Sequence, residues 1–308
     1  MAVGLIARRL LQAAAALLVV LLVVFVCLLT TGDPVEMLAP PEASERDKAM
    51  IRQAYGLDRP LLYQYGVFVW RAARGDFGRS FFSDRSALGL VSERLPASLE
   101  LALASTAIAI VVGVPLGIVA AVKRATIVDQ LVIGVALLGQ SIASFWLALM
   151  LILLFAVSLH WLPVSGRSGW ASLVLPALAL SFWLLALLAR LTRSEMLEVL
   201  DQDYIRTARA KGMATAAVVV RHGLRNALIP LVTVTGVSLG WQLGGAVVIE
   251  TVFAWPGLGT TLLEAVLRRD YPVVLVGVAV LSAAFVTINL LVDLVYTYID
   301  PRIRVGAP

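Results

Sequence analysis

The chain of 308 residues has one cysteine, two histidines and only 15% charged residues. Cys27 alone cannot close an internal disulfide, and inside an apolar run it reads as a small packed hydrophobe. His160 and His222 lie far apart without a cysteine partner and make no credible metal site. No Gly-x-x-x-x-Gly-Lys-Ser/Thr segment occurs, so the chain lacks the loop that cradles nucleotide phosphates. Gly/Ser tracts, an acidic tail and obvious short-period repeats are missing as well. What is abundant is apolar: 60% of the residues are hydrophobic and the mean hydropathy is +0.91. A soluble domain needs more polar surface than that, so this is an integral membrane protein.

A bilayer core about 30 Å thick takes roughly 20 mainly apolar helical residues per crossing. Such runs lie near 10–29, 99–121, 131–157, 171–191, 228–252 and 273–295, which predicts six spans, the third long enough to tilt. They are too long and too continuous for the alternating strands of an outer-membrane barrel. The first run follows Arg8-Arg9, exceeds a usual signal core and has no clear small-x-small cleavage site, so it reads as a retained anchor. Basic residues flank alternate loops: Arg8 and Arg9, Lys123 and Arg124, Arg190 through Arg225, then Arg302 and Arg304. The positive-inside rule places these loops and both termini in the cytoplasm. The loop at 158–170, with only Arg167, suits the outside; that at 253–272, with Arg268 and Arg269, is a mild exception.

The expected organisation is an anchor over 1–30, an external cap over 31–98, a five-helix core over 99–300 and a cytoplasmic tail over 301–308. Turn signals at Gly32-Asp33-Pro34, Pro40-Pro41, Arg59-Pro60 and Gly75-Asp76-Phe77-Gly78 punctuate the cap. Helix-like spacing over 43–54 and 61–73 predicts short helices lying over the membrane surface. Tyr63, Tyr65, Phe68 and Trp70 argue against wholesale disorder there.

The most patterned polar stretch is cytoplasmic, at 201–225. Gln202 to Lys211 can form a helix with Asp201 or Asp203 at its positive end and Arg209 and Lys211 at its negative end. Gly212 stops it, and Thr215 can cap a second short helix through Val220. Val218 and Val219 are then expected on a surface that would otherwise face water. Topology alone asks for positive charge here, but it does not ask for a glycine break.

Tyr204, Arg206, Thr207, Ala208, Arg209, Ala210, Lys211 and Gly212, followed by Arg221, His222, Leu224, Arg225, Asn226, Ala227 and Pro230, resemble the cytoplasmic loop of binding-protein-dependent ABC importer permeases, in their dipeptide, oligopeptide and nickel branch. Other landmarks extend the resemblance along the chain, among them Gly75-Asp76-Phe77-Gly78 with Ser80, Phe145-Trp146-Leu147, Leu175-Pro176-Ala177-Leu178, Glu250-Thr251-Val252-Phe253 with Pro256-Gly257, Arg269-Asp270-Tyr271-Pro272 and Asp300-Pro301-Arg302. The resemblance implies an all-α fold of six transmembrane helices, the type I importer permease fold. It also implies that Tyr204 to Gly223 docks on an ATP-hydrolysing subunit, with Ala208, Ala210 and Gly212 permitting close approach. Further implied partners are a second homologous permease subunit or a second copy, two ATP-binding subunits, an extracytoplasmic solute-binding protein docked on the cap and the loop Phe253–Asp270, and membrane lipid. ATP and Mg belong to the ATPase subunits, with no cofactor in this chain and no nucleic acid. The location implied is the bacterial inner membrane and the cargo dipeptides, oligopeptides or nickel. Ser141-Ile142-Ala143 departs from the family pattern, which has proline in the third place, so the third span carries no proline to kink it.

Three readings compete on single features. Gly236-Val237-Ser238-Leu239-Gly240 matches a serine-hydrolase pattern, but neither histidine is expected at its depth to act as base. Small residues for helix packing explain it better. Gln140, Ser141, Ser144, Gln242 and Asn289 are polar groups inside spans and can line a pathway or bond between helices. Asp293 and Glu250 are expected near span ends with water in reach. An ion-coupled transporter or channel is the alternative function, and it asks for an intramembrane carboxylate or histidine relay that the span centres do not offer.

Overall fold

Backbone groups in hydrocarbon must be satisfied within their own segment, and among the described residues every regular element is helical. The structure is a computed structural model that describes residues 2–31, 35, 39–40, 42–214 and 217–299, with side chains left undescribed at 2–10, 31, 55, 209, 221–222, 225–226 and 293–299. In chain order the helices are α1 (Ala2–Thr31), α2 (Glu45–Tyr55), α3 (Leu61–Ala72), α4 (Ala87–Ile108), α5 (Val114–Val122), α6 (Ile127–Ser141) and α7 (Ser144–Leu151). There follow α8 (Trp170–Leu200), α9 (Asp203–Ala210), α10 (Arg225–Gly245), α11 (Val247–Val252), α12 (Leu258–Leu267) and α13 (Tyr271–Ile299). π-Helical stretches occupy Ala109–Gly113, Ile152–Ser158 and Val218–Leu224. The first joins α4 to α5 just ahead of Pro115, which has no N–H to donate to the usual i−4 carbonyl.

Five helices are long and apolar enough to cross a membrane: Leu11–Thr30, Ala87–Val122, Trp170–Leu200, Ala227–Gly245 and Tyr271–Val292. Where the third span is expected, the chain forms a bent pair of helices. Its halves, Ile127–Ser141 and Ser144–Ser158, meet at 105°, although no proline stands between them. Ile142 sits at φ −77°, ψ 126° and Ala143 at φ −65°, ψ 131°. These are the extended conformation a residue adopts before proline and the φ that proline itself requires. The break therefore comes from a backbone already shaped for Ile-Pro. Ala143→Pro is expected to raise stability by about 0.5 kcal/mol, through a less flexible unfolded chain, as read by the thermal midpoint of the purified chain.

Two compact units divide the chain, one holding Met1–Pro96 with Gly257–Val286, the other Ala97–Pro256 with Thr287–Pro308. In the first, α2 opens on a reciprocal cap: the Asp47 N–H donates to Ser44 Oγ (3.3 Å) and the Ser44 N–H to Asp47 Oδ2 (3.0 Å). The Ser44 hydroxyl holds the Asp47 carboxyl below the ordinary carboxylate range. Two sequence landmarks nearly 200 residues apart form one structure here. Asp270 accepts from Ser80 Oγ (2.5 Å) and from the Phe81 N–H (3.2 Å), while the neighbouring Tyr271 hydroxyl donates to the Leu28 carbonyl (2.8 Å). The turn at Gly75–Gly78, the start of α13 and the end of α1 are thereby joined around an apolar cluster that includes Val91, Leu258 and Val276.

In the second unit α8 is the mast, and glycines let α5 close on it. A Cβ on Gly113 would stand 2.7 Å from the Leu185 carbonyl oxygen, and one on Gly117 would collide with the Ala189 carbonyl oxygen and meet Thr192 Cβ at 2.6 Å. A second cluster is built largely of small side chains (Ala97, Ala148, Ala156, Ala177, Ala179, Ala246) around Phe253 and Trp255. Such residues suit helices whose attraction rests on close van der Waals approach rather than on escape from water. Glu250 corrects its expected place near water: it is fully buried and accepts from Ser98 Oγ (2.5 Å). The reason is that the fifth apolar run does not continue straight. After Ala246 the short α11 turns its Ile249 and Glu250 into that alanine-rich cluster.

Candidate functional site between α8 and α10

With 31 residues, α8 is ~46 Å long at 1.5 Å per residue, more than the ~30 Å hydrocarbon core needs. Its last turns, from Arg190 through Arg193, Glu195 and Glu198, are charged and extend past the apolar part. At Asp201 the chain turns, and α9 begins with Asp203 at the end where the helix dipole favours negative charge. Thr207 Oγ1 donates back to the Asp203 carbonyl (3.0 Å), and Arg206 pairs loosely with Asp203 at 3.4 Å in full solvent, a contact worth little by itself.

One face of α9 is apolar and buried. Ile205 and Ala208 pack on Val218, with Leu200 and Met213 alongside. The helix ends where Gly212 takes φ +78°, a left-handed conformation that glycine adopts without strain. A side chain on Gly212 would meet open space, so its requirement is conformational. The return path is the π-helical stretch Val218–Leu224, in which Gly223 is buried with Met196 Cε 2.8 Å from where its Cβ would be. α9 and this stretch thus form a small platform clamped on the end of α8.

The platform sorts the residues expected to dock. Tyr204, Arg206, Thr207, Ala210, Lys211 and Gly212 are exposed and share the outward surface. Ala208 is a correction, since it is only 8% exposed and touches its own chain, leaving Ala210 and Gly212 as the small outward residues. Val218 and Val219 are also corrected. At 0% and 6% exposed they are the apolar underside of the platform, while Val220, at 61%, is the valine of that stretch that faces outward. The side chains of Arg209, Arg221 and His222, and the expected cap Thr215, lie outside the described residues.

Sequence reasoning missed what holds the platform's root. Asp129, on the first turn of α6, takes a two-pronged bond from Arg193 of α8: Nε to Oδ1 at 2.5 Å and Nη2 to Oδ2 at 2.9 Å. Its Oδ2 also accepts the N–H of Ala125, a non-glycine residue at φ +61° in the tight turn between α5 and α6. Arg124 of that turn reaches Asp201 at 3.6 Å. The signal was present as an acid and an arginine flanking apolar runs, but nothing in their 64-residue separation paired them.

The span residues divide as well. Gln242 is buried and its amide is satisfied by Ser105 and by Thr106 Oγ1 (3.3 Å), an interhelical bond. Ser141 Oγ returns to the Leu137 carbonyl (3.0 Å) and Ser144 is exposed at the start of α7, both beside the break. Gln140 differs: its buried amide nitrogen has no partner among the described residues. Asn289 is half-buried on α13. Ser238 is packed inside α10, two residues from Gly236, whose Cβ would run into Val292 of α13, so the small-residue pattern serves helix packing. Among the described residues no group of three His, Cys, Asp or Glu side chains is placed to hold a metal ion.

Comparison with known proteins agrees with this architecture. Residues 113–305 match the family of binding-protein-dependent transport system inner membrane components, and residues 2–102 match that system's N-terminal membrane component. A Brucella melitensis protein, provisionally described as a peptide transport system permease protein, is 44% identical over 313 residues, covering 99% of both chains. The glutathione transport system permease protein GsiC of Escherichia coli K12 is 43% identical over 273 residues, covering 89% of both. A solved structure of the inward-facing MetNI methionine ABC transporter aligns with a TM-score of 0.58 at 22% identity, over 68% of this chain and 96% of that one. The helices common to that fold, the platform between α8 and α10 and the two family matches make this chain a member of the binding-protein-dependent transport system inner membrane component family, a non-catalytic permease subunit of a bacterial ABC importer.

Proposed function

We propose that this permease imports short peptides, glutathione-like tripeptides among them, and that the surface of α9 is where ATP hydrolysis on a partner subunit is converted into movement of the spans. The cargo reading is supported by the peptide and glutathione systems named for two relatives above 40% identity. The coupling reading rests on one observation above all: an exposed row of Tyr204, Arg206, Ala210 and Lys211 on a helix whose opposite face is locked to α8 through Ile205, Ala208 and Val218. A load applied to that row must pass into α8, because the platform has an apolar underside of its own. The basic side chains suit an acidic groove, and Ala210 with Gly212 lets the two backbones approach.

The permease works with ATPase and binding-protein partners. In the finer reading two ATP-binding subunits, each carrying ATP and Mg, close beneath this chain and a second permease subunit in the inner membrane, with both termini cytoplasmic. The path lies between the two permeases. Gln140, beside the 105° break and with an unmatched buried amide, is the best-supported pathway residue; an unpaired donor costs about 1–3 kcal/mol unless something fills it. The extracellular dock is narrowed by the burial of Phe253 and Trp255. What remains exposed in that loop is Ala254 and, at the end of α12, Leu263, Glu264, Val266, Leu267 and Arg268.

The test uses positions that face outward. In the assembled importer, Ala210→Glu combined with Lys211→Glu is expected to lower both peptide uptake and substrate-stimulated ATPase activity by at least about tenfold, since misplaced like charge in an interface costs more than 1.4 kcal/mol. The thermal midpoint of the isolated chain should not move. Undiminished uptake and stimulation would remove the docking role from α9.

A further inference from the structure

The outer half of α1 is not bare. The Tyr65 hydroxyl of α3 donates to the Leu18 carbonyl (2.6 Å), and the Phe25 ring meets Tyr65 edge-on at 5.8 Å between centroids and stacks on Phe68 at 6.4 Å. Thus α3 crosses α1 between Leu18 and Phe25. At 1.5 Å per residue these positions lie ~18 Å and ~8 Å short of Thr30, where the apolar span ends. For a hydrocarbon core about 30 Å thick, with each leaflet about 15 Å deep, the contact at Phe25 lies within the leaflet and the Leu18 carbonyl lies close to the midplane, neither of them above the hydrocarbon.

The chemistry of α3 fits such a place. Leu61–Ala72 holds no acidic residue. Its flank away from α1 exposes Tyr63 (59%), Trp70 (56%) and Gly66, with Leu62 (74%) beside them. A Cβ on Gly66 would touch nothing. The polar residue in its middle, Gln64, already donates to the carbonyls of Leu57 (3.2 Å) and Arg59 (2.8 Å), and Tyr65 spends its proton on α1. Charge lies only outside the apolar stretch, at Asp58 and Arg59 before it and at Arg71 and Arg74 after it, with the Arg74 guanidinium 3.6 Å from the centre of the Trp70 ring. Tryptophan and tyrosine bodies with arginine at the rim are what a membrane interface selects. The exposed face of α3 also continues that of α1, where Val19, Val20 and Val23 are open within the span itself.

We propose that α3 is immersed in the lipid leaflet into which Thr30 emerges, with acyl chains against Tyr63, Gly66 and Trp70, and with Arg71 and Arg74 at the anionic phosphates. The N-terminal region is therefore only in part a cap. Its second helix is a lipid-anchored strut on α1 and is withdrawn from any dock for a soluble binding protein.

The experiment uses the full importer in vesicles of phosphatidylethanolamine and phosphatidylglycerol, in a Cys27→Ser background so that single nitroxide labels can be placed. Labels at Leu62→Cys and Gly66→Cys are expected to collide more with oxygen, which concentrates in hydrocarbon, than with a water-soluble nickel chelate. A label at the exposed Asp58→Cys should show the reverse. Nickel dominating at 62 and 66 would mean water covers α3. Shielding from both reagents would mean a protein does, and either result overturns the lipid assignment. Uptake retained by each labelled importer confirms that the assembly is native, and the outcome is independent of what docks on α9.

Discussion

A Gly117→Val chain does not yield a folded permease. The added side chain has nowhere to go, because the backbone of α8 occupies the space: the Ala189 carbonyl oxygen overlaps the Cβ position, Thr192 Cβ stands at 2.6 Å and the Arg193 nitrogen at 3.1 Å. Overpacking a core that can shift its side chains costs about 1–3 kcal/mol. Here the obstacle is main chain in a 31-residue helix, so the cost lies above that range and the two helices must part. Gly117→Ala already places its Cβ in that overlap and is expected to lower stability by about 3 kcal/mol or more. The control is Gly134→Ala on α6, where a Cβ meets nothing within 4 Å and alanine favours the helix. Thermal unfolding of the purified chains in detergent separates the three, and a Gly117→Ala chain as stable as the natural one would show that α5 and α8 do not make this approach.

Asp129→Arg is the second large loss. Asp129 is 5% exposed at its side chain and holds three polar groups at once: two prongs of Arg193 and the N–H of Ala125. Hydrogen bonds between charged groups count about twice as much as neutral ones, and their removal from a closed site leaves the other partner stranded. Reversal adds repulsion against Arg193. A milder Asp129→Asn keeps the shape and is expected to cost about 2 kcal/mol, less than a deep ion pair because Arg193 is 27% exposed and partly screened. The diagnostic chain is the exchange, Asp129→Arg with Arg193→Asp, which should recover part of the loss while each single reversal recovers none. Equal damage in the single and double reversals, read from thermal midpoint and yield of assembled importer, would deny the pairing. The pair also has a mechanical meaning. It ties the turn between α5 and α6 to α8 about two turns before the end of α8, so a load on the platform would not bend α8 alone.

Much of this was legible in the residues. Hydropathy predicts where the apolar runs lie, because each span must bury a length of apolar chain set by the bilayer, but not where the helices end: the second begins at Ala87 and not near 99, and the fourth runs on to Leu200. The polar stretch after Leu200 reads as a helix with its acid first, stopped by Gly212, and α9 at Asp203–Ala210 with Gly212 in the left-handed region has that form. Capping, dipole and glycine stops are short-range, so neighbours in sequence suffice to specify them. The break at Ile142–Ala143 is a local feature that residue types did not announce: alanine accepts a proline-like φ without demanding it, and the bend of 105° had no marker.

Other features depend on which helix lies beside which, and no local pattern carries that. Ala208 had the composition of a docking residue but faces Val218, and Glu250 looked like a span-end acid but is enclosed with Ser98. Asp129 with Arg193, Ser80 with Asp270 and Gln242 with Thr106 are separated by 64, 190 and 136 residues. The amino-acid order was enough for the membrane class, the position of the apolar runs, the start and stop of α9 and the family, since these follow from bilayer thickness, backbone conformation and motif. Which face of α9 is free, where α3 meets α1 and how α6 is tied to α8 emerge from packing, because a side chain's partners are chosen by the approach of distant backbones and not by its neighbours along the chain.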